Sequence, residues 1–469
     1  MGSLPFSPCI LIAALVSILL FVFTTDASEI SEKPFRFPNL DDEQGYETAA
    51  SSAGPTVKDL GSFAGYVTLS GNTNKSMFYY FVRSRTKDQN APLIVYLNGG
   101  PGISASMTMF YECGPFRLNN DSSLVFNEFG WDTVADLLII DSPMGTGFSY
   151  LTNDDDIPST TEEAVADLYD FLKTFFRNRN HTDLVNNELY VTGEGYAGHF
   201  IPVLATRILD GNEKNEFQMK LRGVCLGNPW LDGGSQFTSY AAYAWKMKLI
   251  SRAQYNKTMI DAFSGCQQKA KLACNGKKLD LEACAQVNID CNDILWDYII
   301  KPTGDKNYYD LRTNCTGVLC YYDFSIMEHF LNQASVKKAL GVESGVTFVT
   351  WSAAVNNSMA GDVMRDFTTY IPAILERGIK FLVYAGNEDL IANWMGIWNI
   401  IKGLTWSGGQ HSFSPARPLK VDGVKDAGWL RTSEPLTLVV VNHAGHMVPM
   451  DQPKVALEMI KKFIKGNPL

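Results

Sequence analysis

Six short, almost wholly apolar runs, each bounded by Gly, Asn or Asp, govern what this chain can fold into. They are "LIVYLNGG" (93–100), "DLLIID" (136–141), "LYVTG" (189–193), "LRGVCLGNP" (221–229), "KFLVYAG" (380–386) and "LTLVVVNHAG" (436–445). Runs without polar alternation suit strands covered on both faces. Helical patterns fall between several of them. The clearest is "STTEEAVADLYDFLKTFF", where Thr160 is placed to cap the helix and Glu163 to return the bond. Val165, Leu168, Leu172 and Phe175 line one face of it. The alternation predicts an α/β chain with a mainly parallel, doubly wound sheet.

One large α/β unit carrying an insertion accounts for the 469 residues. Residues 235–325 are rich in polar residues, aromatics and cysteine and lack a comparable strand run, which predicts an inserted helical cap between core segments 28–234 and 326–469. "SSAGPT" (51–56) marks the join between an N-terminal lead-in and the core. The apolar run "CILIAALVSILLFVF" (9–23), with small residues at Ala27 and Ser28, predicts a signal peptide over residues 1–27, although no Lys or Arg precedes it. After its removal no membrane contact is expected. The net charge of −10 and the lack of clustered Lys and Arg argue against nucleic acid as a partner.

Sequons at Asn74, Asn120, Asn180, Asn256, Asn314 and Asn356 agree with a secretory route. Of nine cysteines, Cys9 lies in the signal segment and six crowd together as Cys266, Cys274, Cys284, Cys291, Cys315 and Cys320. Their spacings contain no CxxC pair and the segment no His, so disulfides are preferred to zinc. Six cysteines allow fifteen pairings, and spacing alone does not choose among them.

The stretch "ELYVTGEGYAGHFIP" (188–202) has the form of a nucleophile elbow: a strand ending near Gly193, a sharp turn, and a helix from Tyr196 to Ile208. Its tip is Gly195, which carries no oxygen to attack with. Asp389 in "VYAGNEDLIANW" and His446 in "VVNHAGHMVPMDQP" follow later strands, in the chain order of α/β hydrolases. His446 would serve as base and Asp389 would hold its tautomer, with His443 a rival on the same loop. The Gly-Gly-Pro-Gly loop in "YLNGGPGISAS" (96–106) is suited to presenting the Gly100 N–H, with that of Tyr196, to a developing oxyanion. A phosphate loop would need a following Lys-Ser/Thr, which is absent.

These stretches, with "FYECGPF" (110–116), "FNEFGWD" (126–132), "DSPMGTGFSY" (141–150), "LGNPW" (226–230) and "AGHMVPMDQP" (444–453), closely resemble the serine carboxypeptidases, the family of plant serine carboxypeptidases and yeast carboxypeptidase Y. The resemblance implies an α/β-hydrolase fold and a secreted or vacuolar glycoprotein that removes C-terminal residues from peptides at acidic pH. Some plant relatives transfer acyl groups from glucose esters instead. It implies that Asp389 and His446 are the triad acid and base, that Gly100 and Tyr196 form the oxyanion hole, and that Asn98, Gly99, Glu112 and Glu194 recognise the terminal carboxylate of a peptide. It further implies the bridges Cys266–Cys291, Cys274–Cys284 and Cys315–Cys320, leaving Cys113 and Cys225 free or paired together. No metal or organic cofactor is implied.

The departures from the family are specific. Gly195 stands where the nucleophilic serine belongs. Ile103 and Ala354 replace what align as two halves of one disulfide, Tyr96 replaces a tryptophan at the carboxylate site, and Ala392 replaces a cysteine. Three readings follow. The favoured one is a folded, secreted homologue with little or no peptidase activity, retained as a binder of peptide C-termini. The second is an active carboxypeptidase whose serine is lost by allele or sequence error. The third is a different hydrolytic or acyl-transfer chemistry, using a water activated by His446 or another nucleophile such as Ser352.

Overall fold

The computed structural model describes residues 29–37, 62–69, 75–276, 279–316, 320, 323–408 and 413–469. The predicted signal segment, "SSAGPT" and Asn74 lie outside the described residues. A twelve-stranded sheet forms the centre. Its main strands are β1 (Glu29–Pro34), β2 (Phe63–Thr68), β3 (Lys75–Val82), β4 (Leu93–Leu97), β5 (Asp136–Ile140), β6 (Leu189–Glu194), β7 (Leu221–Gly227), β8 (Lys380–Gly386), β9 (Gly428–Ser433) and β10 (Leu436–Val441). Two-residue strands at Tyr150–Leu151 and Arg417–Pro418 complete it. The spatial order is β1-β2-β3-β5-β4-β6-β7-β8-β10-β9.

The six predicted runs are the six parallel strands, β5-β4-β6-β7-β8-β10. The strands that the sequence reading did not call, β1 to β3 and β9, extend the sheet antiparallel at its two edges. Burial does not separate the two groups: β2 and β3 are nearly as buried as β4 and β5, β9 is partly covered throughout, and among these edge strands only β1 has exposed positions.

Helices cover both faces. Among them are α1 (Ser106–Tyr111), α2 (Thr161–Arg177), α3 (Ala197–Glu213), α4 (Lys257–Ala273), α5 (Leu281–Leu295), α6 (Ala353–Ser358) and α7 (Pro453–Lys465). Alternate residues of β4 serve opposite cores. Val95 and Leu97 join Leu168, Leu172, Phe200 and Leu204 from α2 and α3, while Ile94 and Tyr96 join Met459 and Phe463 from α7. Each such large side chain, fully buried, contributes roughly 1.5–3 kcal/mol. Thr160 caps α2 by accepting from the Glu163 N–H, but the Glu163 carboxylate returns its bond to Ser159, one residue earlier than expected. The reason is that the chain enters the helix extended at Thr160, which brings the Ser159 N–H within 2.8 Å.

Between β7 and β8 the chain runs mostly through helices. Cys266–Cys291 ties α4 to α5, and Cys274–Cys284 and Cys315–Cys320 close shorter loops. Cys113 and Cys225 are both free and buried. Where the lost pair of Ile103 and Ala354 would be joined, the backbone still crosses: Ile103 bridges Trp351, Ser352 N–H donates to the Gly102 carbonyl at 2.9 Å and Ser104 N–H to that of Thr350 at 2.9 Å.

Several carboxyls lie deep in this scaffold. Asp141 accepts from the Ser104 hydroxyl at 2.6 Å and from the Ala105 and Phe148 N–H groups at 2.9 Å, fastening the Gly-Gly-Pro-Gly loop to the segment after β5. Burial pushes Asp136, Asp141 and Asp232 each up to about 6, against hydrogen bonds that pull them down. Folded-state values above the unfolded ones mean that the folded protein takes up protons first, so stability rises as pH falls through 6 toward the unfolded value near 3.8. Buried His199, pulled down by burial, opposes this below pH 6.5. The three carboxyls outweigh one imidazole, so the unfolding free energy is expected to be larger at pH 5 than at pH 7.5 by on the order of 2 kcal/mol. Urea midpoints at the two pH values measure it, and a lower midpoint at pH 5 would refute the assignment.

Candidate active site

Strands β4, β6, β7, β8 and β10 end side by side, with Leu97 opposite Gly193 and Ala385 opposite Val440. Ligands of open α/β sheets bind beyond such carboxyl ends. A cavity of about 360 Å³ opens there, lined by Asn98, Gly99, Gly100, Glu194, Gly195, Tyr196 and His446, among others.

Gly195 is the hinge between β6 and α3. Its φ is +59°, a left-handed conformation that a side chain strains and glycine adopts freely. Its N–H donates to the Gly227 carbonyl at 3.0 Å and its carbonyl accepts from the Trp230 N–H at 2.8 Å, so the turn is pinned from β7. A Cβ at this position would lie 2.8 Å from His446 Nε2 and 3.4 Å from Cε1. The imidazole thus reaches into the space that a nucleophile's side chain would claim. Gly99 permits the other close approach: a Cβ there would fall 2.4 Å from the Tyr196 nitrogen, which is how the Gly-rich loop comes against the elbow.

His446 Nδ1 lies 2.7 Å from Asp389 Oδ2. The fully buried Asp389 also accepts from Asn228 Nδ2 at 2.8 Å and from the Ile391 and Ala392 N–H groups at 2.9 and 3.3 Å. Satisfied in this way, a buried carboxylate can stay charged and orient the ring. His443 lies away from the cavity, on the surface beside Asp426 at 3.3 Å. Ser352 caps α6, its hydroxyl accepting from Val355 N–H, and is not among the cavity's lining residues.

Glu112 and Glu194 meet at the floor. Tyr96 donates its hydroxyl to Glu112 Oε2 at 3.1 Å, and Thr108 Oγ1 stands 2.7 Å from Asn98 Oδ1 and 3.3 Å from Glu112 Oε1. Tyr96 thus supplies a hydroxyl donor to this group. Burial pushes Glu112 up, against hydrogen bonds from Glu194, Tyr96, Asn98 and Thr108 that pull it down. Burial and then the Glu112 charge push Glu194 far above the usual carboxylate range. The pair holds its proton on Glu194, whose Oε1 is 4.0 Å from His446 Nε2.

Several contributors are not among the site residues expected from the sequence, although Asn228 lies within the stretch "LGNPW". Asn228 orients Asp389 from the end of β7. The Tyr309 carbonyl accepts from the His446 N–H at 2.9 Å, while Leu311 N–H donates to the Glu388 carbonyl at 3.0 Å, so one loop clamps both partners of the dyad. Behind the elbow, Asp362 accepts from Tyr196 and Thr161 hydroxyls at 2.6 Å each and from Arg365 at 2.5 Å. Burial would raise Asp362, yet hydrogen bonds from His199, Thr161 and Tyr196 hold it below the usual range. From α5, Asn288, Asn292 and Leu295 reach the cavity wall, and Asn356 of the last sequon stands there half-buried. The sequon residues Asn120, Asn180, Asn256 and Asn314 are exposed.

Adding a side chain at Gly195 has two costs, the left-handed backbone and the displaced imidazole. Gly195→Ala is expected to lower the unfolding free energy by about 1–2 kcal/mol. A urea melt of the two proteins checks this, and an unchanged or raised midpoint would contradict the elbow geometry.

Comparison with known proteins places these features in context. A family model described as serine carboxypeptidase matches residues 54–466. Serine carboxypeptidase-like 48 of Arabidopsis thaliana is 42% identical over 445 residues, 94% of this chain and 84% of the relative. Serine carboxypeptidase 3 of Hordeum vulgare is 42% identical over 414 residues, covering 88% and 79%. Among solved structures, a prohormone-processing carboxypeptidase from Saccharomyces cerevisiae superposes with a TM-score of 0.75 at 24% identity, covering 94% of this chain and 91% of that one, a likeness of fold.

Proposed function

Because the chain belongs to the serine carboxypeptidase family, we propose that its cavity binds the C-terminal ends of peptides and does not hydrolyse them at an enzymatic rate. The observation that carries this is Gly195 at the tip of an elbow whose surroundings are complete. Asn98, the Gly99 backbone, Glu112 and Glu194 take the terminal carboxylate: an amide, an N–H and a protonated Glu are its natural donors. Gly100 and Tyr196 N–H groups face the scissile carbonyl, and Asp389 with His446 remains as a base without a hydroxyl to activate. Loss of the nucleophile leaves roughly 10³–10⁴ over the uncatalysed rate, far too little for turnover. In this reading the protein is secreted or vacuolar, cleaved after residue 27 and glycosylated, and residues 235–325 form the cap that closes over a bound peptide. The raised carboxyl pair suits an acidic compartment.

A blocked dipeptide titrated into the protein is expected to bind at pH 4.5 without being cleaved, and to bind more weakly at pH 7.5. The sign follows from the pair: a proton lost from Glu194 as pH rises leaves a carboxylate facing a carboxylate. Calorimetry reads the affinity, and equal affinity at both pH values would remove the pair from the binding site. In Gly195→Ser, kcat on the same dipeptide is expected to rise by on the order of 10³ or more. Turnover by the wild type at an ordinary enzyme rate would overturn the proposal.

A further inference from the structure

The loss of a nucleophile from the elbow does not leave the site without one. Three observations meet at a single atom. His446 Nε2 stands 2.8 Å from where the Cβ of residue 195 would be, so it already borders the space from which an acyl carbon is attacked. Its other ring nitrogen is 2.7 Å from Asp389 Oδ2, which retains the ring proton on Nδ1 and places the lone pair of the neutral ring on Nε2. The Gly100 and Tyr196 backbones line the same cavity, and its volume of about 360 Å³ accommodates a short acyl chain beside the apolar Ile103, Tyr309 and Ile391.

We propose that His446 is itself a nucleophile toward activated acyl compounds, with aryl esters as the substrate class, and that this chain carries an acyl-transfer activity through an acyl-imidazole. The balance of the step is closed. The Nε2 lone pair forms a bond to the ester carbonyl carbon, and the negative charge developing on the carbonyl oxygen is met by the two N–H groups. The carbon–oxygen bond to the aryl group breaks, and aryloxide leaves with the electron pair and takes a proton from solvent. The acylated ring is cationic and is compensated by Asp389 through Nδ1. Water then adds to the acyl carbon and gives one of its protons to solvent, replacing the one the aryloxide took; the carbon–nitrogen bond breaks, the pair returns to Nε2, and the product leaves as the carboxylic acid with the other proton. Ester and water become acid and phenol.

The same chemistry separates this activity from peptide hydrolysis. Imidazole is a better leaving group than an amine, so an adduct with a peptide collapses back to reactants. A nitrophenoxide, whose conjugate acid is about as acidic as imidazolium, leaves about as readily as imidazole, and its adduct goes forward; an unactivated phenoxide would not. In a serine enzyme the histidine cannot take this part, because the hydroxyl stands between Nε2 and the acyl carbon. The proposal needs no recognition of a terminal carboxylate and stands or falls apart from the binding of peptides.

The test uses the whole secreted protein and p-nitrophenyl butyrate, with release of p-nitrophenol followed by stopped flow and the quenched protein examined by mass spectrometry. A burst equal to the protein concentration is expected, with a butyryl adduct on the peptide that contains His446. His446→Ala should lose the burst and the adduct, and Asp389→Asn should slow the burst at least tenfold, while His443→Ala, at the exposed histidine of the same loop, should leave both unchanged. Gly195→Ser should move the adduct from His446 to residue 195. A wild type with neither burst nor adduct, or a burst that survives in His446→Ala, would overturn the proposal. A steady rate without an adduct would do so too, since it assigns His446 to general-base activation of water. Matching urea midpoints for wild type, His443→Ala and Asp389→Asn guard against loss of fold. Dipeptide binding, measured separately, reports on the peptide site alone.

Discussion

The buried carboxylate of Asp389 is the point on which this site depends. A charge removed from water is costly unless each lone pair finds a donor, and here Asn228, His446 and two backbone N–H groups supply them. Those donors come from the ends of three strands that are adjacent in the sheet and as much as two hundred residues apart in sequence. Satisfying one carboxylate therefore aligns β7, β8 and the loop after β10. The ring of His446 has little choice of orientation once this is done, and its Nε2 points at Gly195.

Gly195 holds the turn in its left-handed shape and brings no side chain to it. The turn's hydrogen bonds to Gly227 and Trp230 involve only backbone, so they do not notice which side chain is present. The oxyanion N–H groups are likewise backbone. In front of the imidazole, the small volume that a side chain at residue 195 would take is bare, and His446 Nε2 lies 2.8 Å from where its Cβ would be. This makes the site a set of donors and a base arranged around a missing oxygen. Such a set can hold a carboxylate, stabilise a developing oxyanion and present a nitrogen lone pair.

Acidity runs through the molecule in the same sense. The carboxyls of Asp136, Asp141 and Asp232 in the scaffold and of Glu112 and Glu194 in the cavity are all pushed upward by burial. Burial therefore acts in the same sense on these carboxyls of the scaffold and of the site. The Asp141 carboxyl belongs to both, because it fastens the loop that carries Gly100.

The sequence by itself determined the parallel centre of the sheet, since strands buried on both faces must be apolar throughout and six such runs were visible as runs. It also determined the elbow and the order of Asp389 and His446 after it, because glycine at a left-handed turn and polar residues at strand ends are local signals. Edge strands β1 to β3 and β9 escaped it; β1 and β9 are only partly covered and show no apolar run, whereas β2 and β3 are nearly all buried, so burial does not account for their being missed. The sequence also favoured His446 over His443 on the same loop, and the structure supplied the distance, 2.7 Å from its Nδ1 to Asp389, with His443 turned to the surface beside Asp426. Tertiary structure alone brought Asn228, Tyr309 and Asp362 to the site, as their contacts span more than fifty residues and leave no spacing to read. And it alone showed how close the imidazole lies to Gly195, because the distance between a ring and the place of a side chain is a property of the packed site and of no stretch of sequence.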